Sequence, residues 1–281
     1  MYYQNISKAE KMIRLALLNL MPDKDVTEAN FARAFSKAET PVEFVLTKMK
    51  SHVSKNKSAH DEMYIDSVEL RKQHDSGKSP IDGFVFSGAP FDYVFFDEVD
   101  YWPEACELMD WLRERRIPTL YVCWGAQAAL YHFFGISRFE EYVVKLSGVY
   151  PQQVVEPTHP LFKGIVEPLF IPHSRHTSMT NAEIDENPGI KVLARSPRSG
   201  ISIAENSDGT ELYLVGHQEY AIDTLDKEYH RDVERGQTVT LPEHYYENDT
   251  PTLPIINSWQ ENGQIMFSNW LNYMILHRRE K

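Results

Sequence analysis

Two stretches of this 281-residue chain combine residue types at spacings that could do covalent chemistry. The first is Leu120-Tyr121-Val122-Cys123-Trp124-Gly125-Ala126-Gln127, where an apolar run meets a helical pattern at a cysteine. A nucleophile at such a junction, with glycine two residues on, has the layout of a nucleophile elbow, which lifts the side chain clear of the sheet. Gly125 is expected to permit the tight turn. The thiol would then stand near the first free N–H groups of the helix, whose positive end favours the reactive thiolate. The second stretch is Leu212-Tyr213-Leu214-Val215-Gly216-His217-Gln218-Glu219-Tyr220. An apolar strand delivers His217, and Glu219 follows two residues later. In extended backbone, residues two apart share a side. The carboxylate could therefore orient the imidazole and stabilise its protonated form. A thiol, an imidazole and a carboxylate in that order suit acyl transfer or amide hydrolysis. The other cysteine, Cys106, lies inside a helical pattern with no turn glycine beside it and reads as a structural thiol.

Elements that could position these groups are visible in the apolar pattern. Ile13–Leu20, Val42–Thr47, Phe84–Phe86 and Thr119–Cys123 are short, nearly all-apolar runs. Between them lie helical patterns at Thr27–Lys37 and Pro103–Arg115, and Gly125–Phe134 follows. Alternation of this kind predicts an α/β fold, a mostly parallel central sheet with helices on both faces. Ligands of such sheets bind at the C-terminal strand ends, where Cys123 and the loops after Leu20 and Phe86 fall. Ile190–Ala194, Ile201–Ala204 and Leu212–Val215 are closely spaced and are expected to add antiparallel strands in the C-terminal half. Asp223–Arg235 reads as a helix, Ile265–His277 as a short strand running into a helix, and Lys50–Lys78 as a long loop.

The formal net charge is -12, which leaves no basic footprint for nucleic acid or anionic membrane. Two cysteines make no disulfide framework. The N-terminal residues lack the pattern of a secretory signal, and no apolar run is long enough to span a bilayer, so a cytoplasmic location is expected. His173 and His176 lack a third ligand at metal-site spacing, so no metal is expected and His173 reads as a supporting residue. No glycine-rich phosphate loop is present.

Further stretches carry a family resemblance. They are Leu18-Asn19-Leu20-Met21-Pro22, Ser51-His52-Val53-Ser54-Lys55-Asn56, Ser87-Gly88-Ala89-Pro90, Val99-Asp100-Tyr101-Trp102, Lys145-Leu146-Ser147-Gly148-Val149 and Pro172-His173-Ser174-Arg175. With Cys123-Trp124-Gly125-Ala126-Gln127-Ala128 and Gly216-His217-x-Glu219-Tyr220, they make the chain resemble the homoserine O-acyltransferases of methionine biosynthesis, the O-succinyltransferase/O-acetyltransferase type.

The resemblance implies a fold like that of class I glutamine amidotransferases and a single acyltransferase domain over residues 1–281. It implies that Cys123 takes an acyl group from acyl-CoA as a thioester, with His217 as base and Glu219 as its orienter. It places substrate contacts at Lys145, Ser174 and Arg231, the last a two-pronged donor suited to a carboxylate. The thioester oxyanion would rest on the backbone N–H of Trp124 and on the loop after Ser87.

Position 92 would select the acyl donor, glycine going with succinyl-CoA and glutamate with acetyl-CoA. Asp92 departs from both, but its charge would repel a succinyl carboxylate, which points to acetyl-CoA as co-substrate with no permanently bound cofactor. Gln218 and Ala221 stand where the family has proline and aspartate, and the further N-terminal segment usual in the family is absent. L-homoserine is the expected acceptor, with L-serine, one methylene shorter, as the alternative. Partners are expected to be small molecules, with a homodimer carried over from the family. Glutamine amidotransferase activity and a non-catalytic binding role are the readings from other classes.

Overall fold

The computed structural model describes residues 12–52, 59–91, 93–140 and 142–276. Twelve strands are present among them: β1 (Ile13–Leu18), β2 (Val42–Lys48), β3 (Ile65–Asp66), β4 (Gly83–Phe86), β5 (Thr119–Val122), β6 (Arg138–Glu140), β7 (Leu146–Val154), β8 (Leu169–Arg175), β9 (Thr177–Met179), β10 (Ile190–Ser196), β11 (Gly200–Asn206) and β12 (Glu211–Leu214). The α-helices are α1 (Lys24–Ala34), α2 (Ser67–Asp75), α3 (Trp102–Glu114), α4 (Trp124–Phe134), α5 (Asn181–Glu186), α6 (Thr224–Glu234) and α7 (Gln260–Trp270).

Ten strands form one sheet in the order β3-β2-β1-β4-β5-β12-β11-β10-β7-β8, and β6 pairs with β9 separately. From β3 to β12 every pairing is parallel. From β12 to β8 every pairing is antiparallel.

Alternation within the strands sets the two faces. Ala16, Leu18, Phe84, Phe86, Tyr121 and Tyr213 pack into one cluster with residues of α3 and α4. Leu15, Leu17, Val85, Leu120, Val122, Leu212 and Leu214 pack into another with α1 and α7. A strand covered on both sides buries every residue, which is why these runs read as continuously apolar.

Two expectations need correction, and a third is met on one side only. Leu212–Val215, expected to be antiparallel, is so against β11, with Tyr213 opposite Ala204, but on its other edge β12 runs parallel to β5, with Leu214 opposite Val122. The stretch Lys50–Lys78 is not one long loop, for it holds β3 and α2. Asp66 caps α2 by accepting from the Glu69 N–H at 2.8 Å, and only Ser67 and Leu70 are buried, so there was no apolar stripe to read. Among the described residues the tail has no strand: α7 begins at Gln260, and its Met266 and Phe267 are buried helix residues. Strands β7 and β8 carry Pro151 and Pro172 inside them, and β8 is an edge strand. Proline is tolerated there but disguises a strand in the sequence.

Candidate active site

Cys123 is the residue between β5 and α4, and its φ is +51°. That left-handed backbone is costly for a residue with a side chain and tends to be kept where function needs it. It points to the turn being made at Cys123 itself. Gly125 has an ordinary φ and serves a different purpose. A Cβ there would stand 2.8 Å from the Ser87 carbonyl oxygen and 2.9 Å from that of Phe86, so glycine lets α4 pack against the end of β4. The Cys123 N–H donates to the Leu214 carbonyl at 2.7 Å, which ties the elbow to the end of β12.

That tie decides where the base arrives. The chain leaves β12 at Leu214, and the His217 N–H donates to the Pro172 carbonyl of β8 at 2.8 Å. Gly216 makes this crossing possible, since a Cβ on it would come within 2.3 Å of Ile171 and 2.9 Å of His173 Nε2. His217 and Glu219 do not lie on extended backbone, as expected, but in a turn closed by the Tyr220 N–H on the His217 carbonyl at 3.3 Å. The turn still places the carboxylate on the imidazole, with His217 Nδ1 2.7 Å from Glu219 Oε1. Both side chains are buried.

The thiol and the imidazole are neighbours across Gly88. A Cβ on Gly88 would lie 3.3 Å from Cys123 Cβ, 3.9 Å from its Sγ and 3.8 Å from His217 Cε1, so this glycine packs closely against both groups. Burial opposes charge on His217, but the charge of Cys123, then that of Glu219, and hydrogen bonds to both outweigh it and hold the imidazole pKa well above its ordinary value. The imidazole is thus poised to keep a proton beside the sulfur. His173 sits behind it, wholly buried. Burial, Arg175 and then His217 push its pKa well down, so it is a neutral packing partner.

The shared sequence motifs turn out to be clamps around this pair. The Leu20 N–H donates to Ser87 Oγ at 2.9 Å and the Ser87 N–H to the Leu18 carbonyl at 3.1 Å, which locks the loops after β1 and β4 together. Asn19 Nδ2 donates to the Lys24 carbonyl at 3.1 Å and to Tyr64 Oη at 3.0 Å. Trp124, at the start of α4, is wrapped by Phe91, Phe96, Tyr101 and Trp102.

Lys145, Ser174 and Arg231 do converge, and two acids on α6 that the sequence reading overlooked gather them. Lys145 Nζ lies 2.9 Å from Asp232 Oδ2 and 3.5 Å from Glu228 Oε2. Ser174 Oγ donates to Glu228, and Arg231 Nε donates to Asp232 Oδ1 at 2.8 Å. Tyr220 joins this cluster to the base. Its ring stacks on His217 with centroids 4.1 Å apart, and its hydroxyl donates to Glu228 Oε1 at 3.2 Å. The signal for the acids was the three- and four-residue spacing of Glu228, Arg231 and Asp232 on one helix.

Asp92, part of the expected oxyanion loop, and Val53-Ser54-Lys55-Asn56 lie outside the described residues. Cys106 is half-buried within α3, and burial pushes its pKa up to about 11. One group among the described residues could reach a cation, Asp25, Glu28 and His60, whose ligand atoms lie within 4.8 Å of one another. It shares no residue with the thiol site, and its side chains already bond within the group and to Tyr64. No helix of the described residues is long and apolar enough to cross a membrane.

A sequence model described as "HTS: Homoserine O-succinyltransferase" matches residues 3–280. The chain is 37% identical to a homoserine O-acetyltransferase of Bacteroides fragilis over 265 residues, covering 94% of this chain and 85% of that one. It is 38% identical to a homoserine O-acetyltransferase of Brevibacillus brevis, with 94% and 84% covered. Among solved structures, a glutamine amidotransferase of Thermotoga maritima superposes with a TM-score of 0.59 at 12% identity, covering 94% of this chain and 98% of that one. A glutamine amido transferase of Methylobacillus flagellatus gives 0.55 at 12%, with 93% and 94% covered. At such identities these structures speak to the fold alone.

Proposed function

The chain belongs to the homoserine O-succinyltransferase family and is an acyltransferase, and from that premise we propose that it moves an acetyl group from acetyl-CoA, through a thioester on Cys123, to the hydroxyl of L-homoserine. The observation that carries this reading is a thiol at a left-handed elbow beside a buried imidazole that is itself pinned to a carboxylate. Thiolate attack on the donor carbonyl forms the Cys123 thioester and expels the CoA thiolate, which takes the proton held on His217. His217, now neutral, removes the acceptor hydroxyl proton as that oxygen attacks the thioester, and the acyl C–S bond breaks to return Cys123 as the thiolate beside the protonated imidazole. Glu219 holds the ring in one tautomer and stabilises its protonated form. The Trp124 N–H, at the first turn of α4, and the loop after Ser87 are suited to the oxyanion.

In this reading Arg231 faces the acceptor carboxylate, while Lys145 and Ser174 contact its other polar atoms. The half-buried Glu228 carries the charge that an α-ammonium group needs. Tyr220 ties that carboxylate to the base, so acceptor and imidazole are held in one frame. The acetyl donor is supported by the names of the relatives and by the charge of Asp92. The whole 281-residue chain acts as one catalytic unit.

The test is mass spectrometry after mixing with acetyl-CoA alone, followed by rates for L-homoserine and L-serine with acetyl- and succinyl-CoA. An acetyl adduct on Cys123 that discharges to L-homoserine is expected. Preference for succinyl-CoA or for L-serine would revise the substrate. Hydrolysis of L-glutamine without any adduct would replace the reading with an amidotransferase.

A further inference from the structure

Among the described residues, four phenylalanine or tyrosine side chains remain exposed: Tyr93 (62%), Phe95 (69%), Tyr131 (40%) and Phe139 (43%). All four line a single cleft of about 390 Å³. Single exposed apolar residues are ordinary, but a concentration of the exposed aromatics in one concavity marks a binding surface.

The cleft is one side chain away from the elbow. Its floor is the buried Phe96, which stacks on Tyr131 with centroids 4.9 Å apart and lies 5.6 Å from Trp124, the residue after Cys123. Gly88, which borders the thiol, and the rim residues Tyr93 and Phe95 belong to the same connection between β4 and α3. The wall is also tied down. Arg138 of β6 donates to the Val94 carbonyl at 2.8 Å, to the Phe91 carbonyl, and to Thr177 Oγ1 of β9 at 3.3 Å. Thr177 in turn donates to Gln127 in the first turn of α4, at 3.2 Å. The rim therefore belongs to the same rigid unit as the nucleophile.

An acyl-CoA presents its thioester at the tip of a long, slim amide arm with a purine at the far end. With the thioester at Cys123, the rest must leave along a surface continuous with the elbow. We propose that this aromatic cleft seats the CoA portion of the acyl donor, its aromatic faces taking the arm and the purine. This rests on the acyl-CoA reading of the site. Base–aromatic stacking tolerates the absence of base-specific hydrogen bonds, which suits a cleft whose lining is mostly apolar. A second copy of the chain is the competing occupant.

The test uses the double variant Phe95→Ala/Phe139→Ala in the purified enzyme. Both side chains are solvent-facing, and thermal melting checks that the fold is kept. The KM for acetyl-CoA should rise about tenfold, the scale of removing one stacking face. The kcat/KM for S-acetyl-N-acetylcysteamine, which keeps the thioester and lacks most of the arm, should change less than about twofold, as should the KM for L-homoserine. Calorimetry with CoA itself should show a parallel loss of about tenfold in affinity. An unchanged KM and CoA affinity, an equal loss with the truncated donor, or a change of association state in place of a donor effect would overturn the proposal. If the unmutated enzyme fails to acylate Cys123 yet binds CoA with the same dependence on Phe95 and Phe139, the function reading falls and the cleft stands.

Discussion

Cys106 and Cys123 are both half-buried thiols, one inside α3 and the other where β5 turns into α4. Burial therefore does not separate them; their surroundings do. Cys106 packs against the apolar cluster on one sheet face, and burial followed by the charge of Asp110 makes its thiolate unfavourable. Cys123 is carried on strained left-handed backbone to the N-terminus of a helix and stands beside an imidazole that is pinned to the Glu219 carboxylate and whose pKa is raised. The contrast between the two sulfurs comes from what the backbone hands each of them to.

The largest test of that contrast is replacement of each thiol. Cys123→Ala should lower turnover by about 10⁴-fold or more while the fold persists, as for loss of a catalytic nucleophile. Cys106→Ala should stay within about twofold, since nothing reacting touches it. Steady-state rates and melting curves report both, and near-native turnover by the Cys123 variant would end the covalent scheme.

The next test removes the orienter. Glu219→Gln should reduce kcat by about 10²–10⁴-fold, because the imidazole loses both its anionic partner and its fixed tautomer. The same variant sharpens the pH argument. Because the folded pKa of His217 is raised, the stabilisation it draws from its anionic partners is complete below the ordinary imidazole value of about 6.5 and is lost as pH rises through the raised value. Removing the Glu219 charge should move that loss to lower pH. NMR titration of the His217 ring would read this directly, and an unmoved titration would mean the carboxylate is not what holds the proton.

The smallest effect is a labelling ratio. With its pKa near 11, Cys106 holds only about 10⁻⁴ of its thiol as thiolate at pH 7. Iodoacetamide at that pH should modify Cys123 at least about tenfold faster, as peptide mapping would show. Equal rates would erase the contrast between the two regions.

The parallel half of the molecule was readable because its physics is local. Strands buried on both faces must be apolar throughout, and the helices between them carry recognisable stripes, so β1, β2, β4, β5, α3 and α4 stand out in the chain. The antiparallel half hid β7 and β8 because a proline inside each, together with their polar residues, interrupts the apolar pattern of a strand. Helix α2 was invisible for a related reason, since it buries too little apolar surface to leave a pattern.

For the site, residue type and order alone singled out Cys123, His217 and Glu219 as the candidates for acyl chemistry. Their meeting is a tertiary fact. It depends on β12 lying parallel beside β5 and on Gly216 allowing β8 to pass, with Gly88 packed against both groups. Glu228 and Asp232 drawing Lys145, Ser174 and Arg231 together, and the aromatic cleft closing around Phe96, are facts of the same kind. A side chain's chemistry is carried by its own atoms and can be read one residue at a time, whereas proximity between distant segments is set by packing and appears only once the chain has folded.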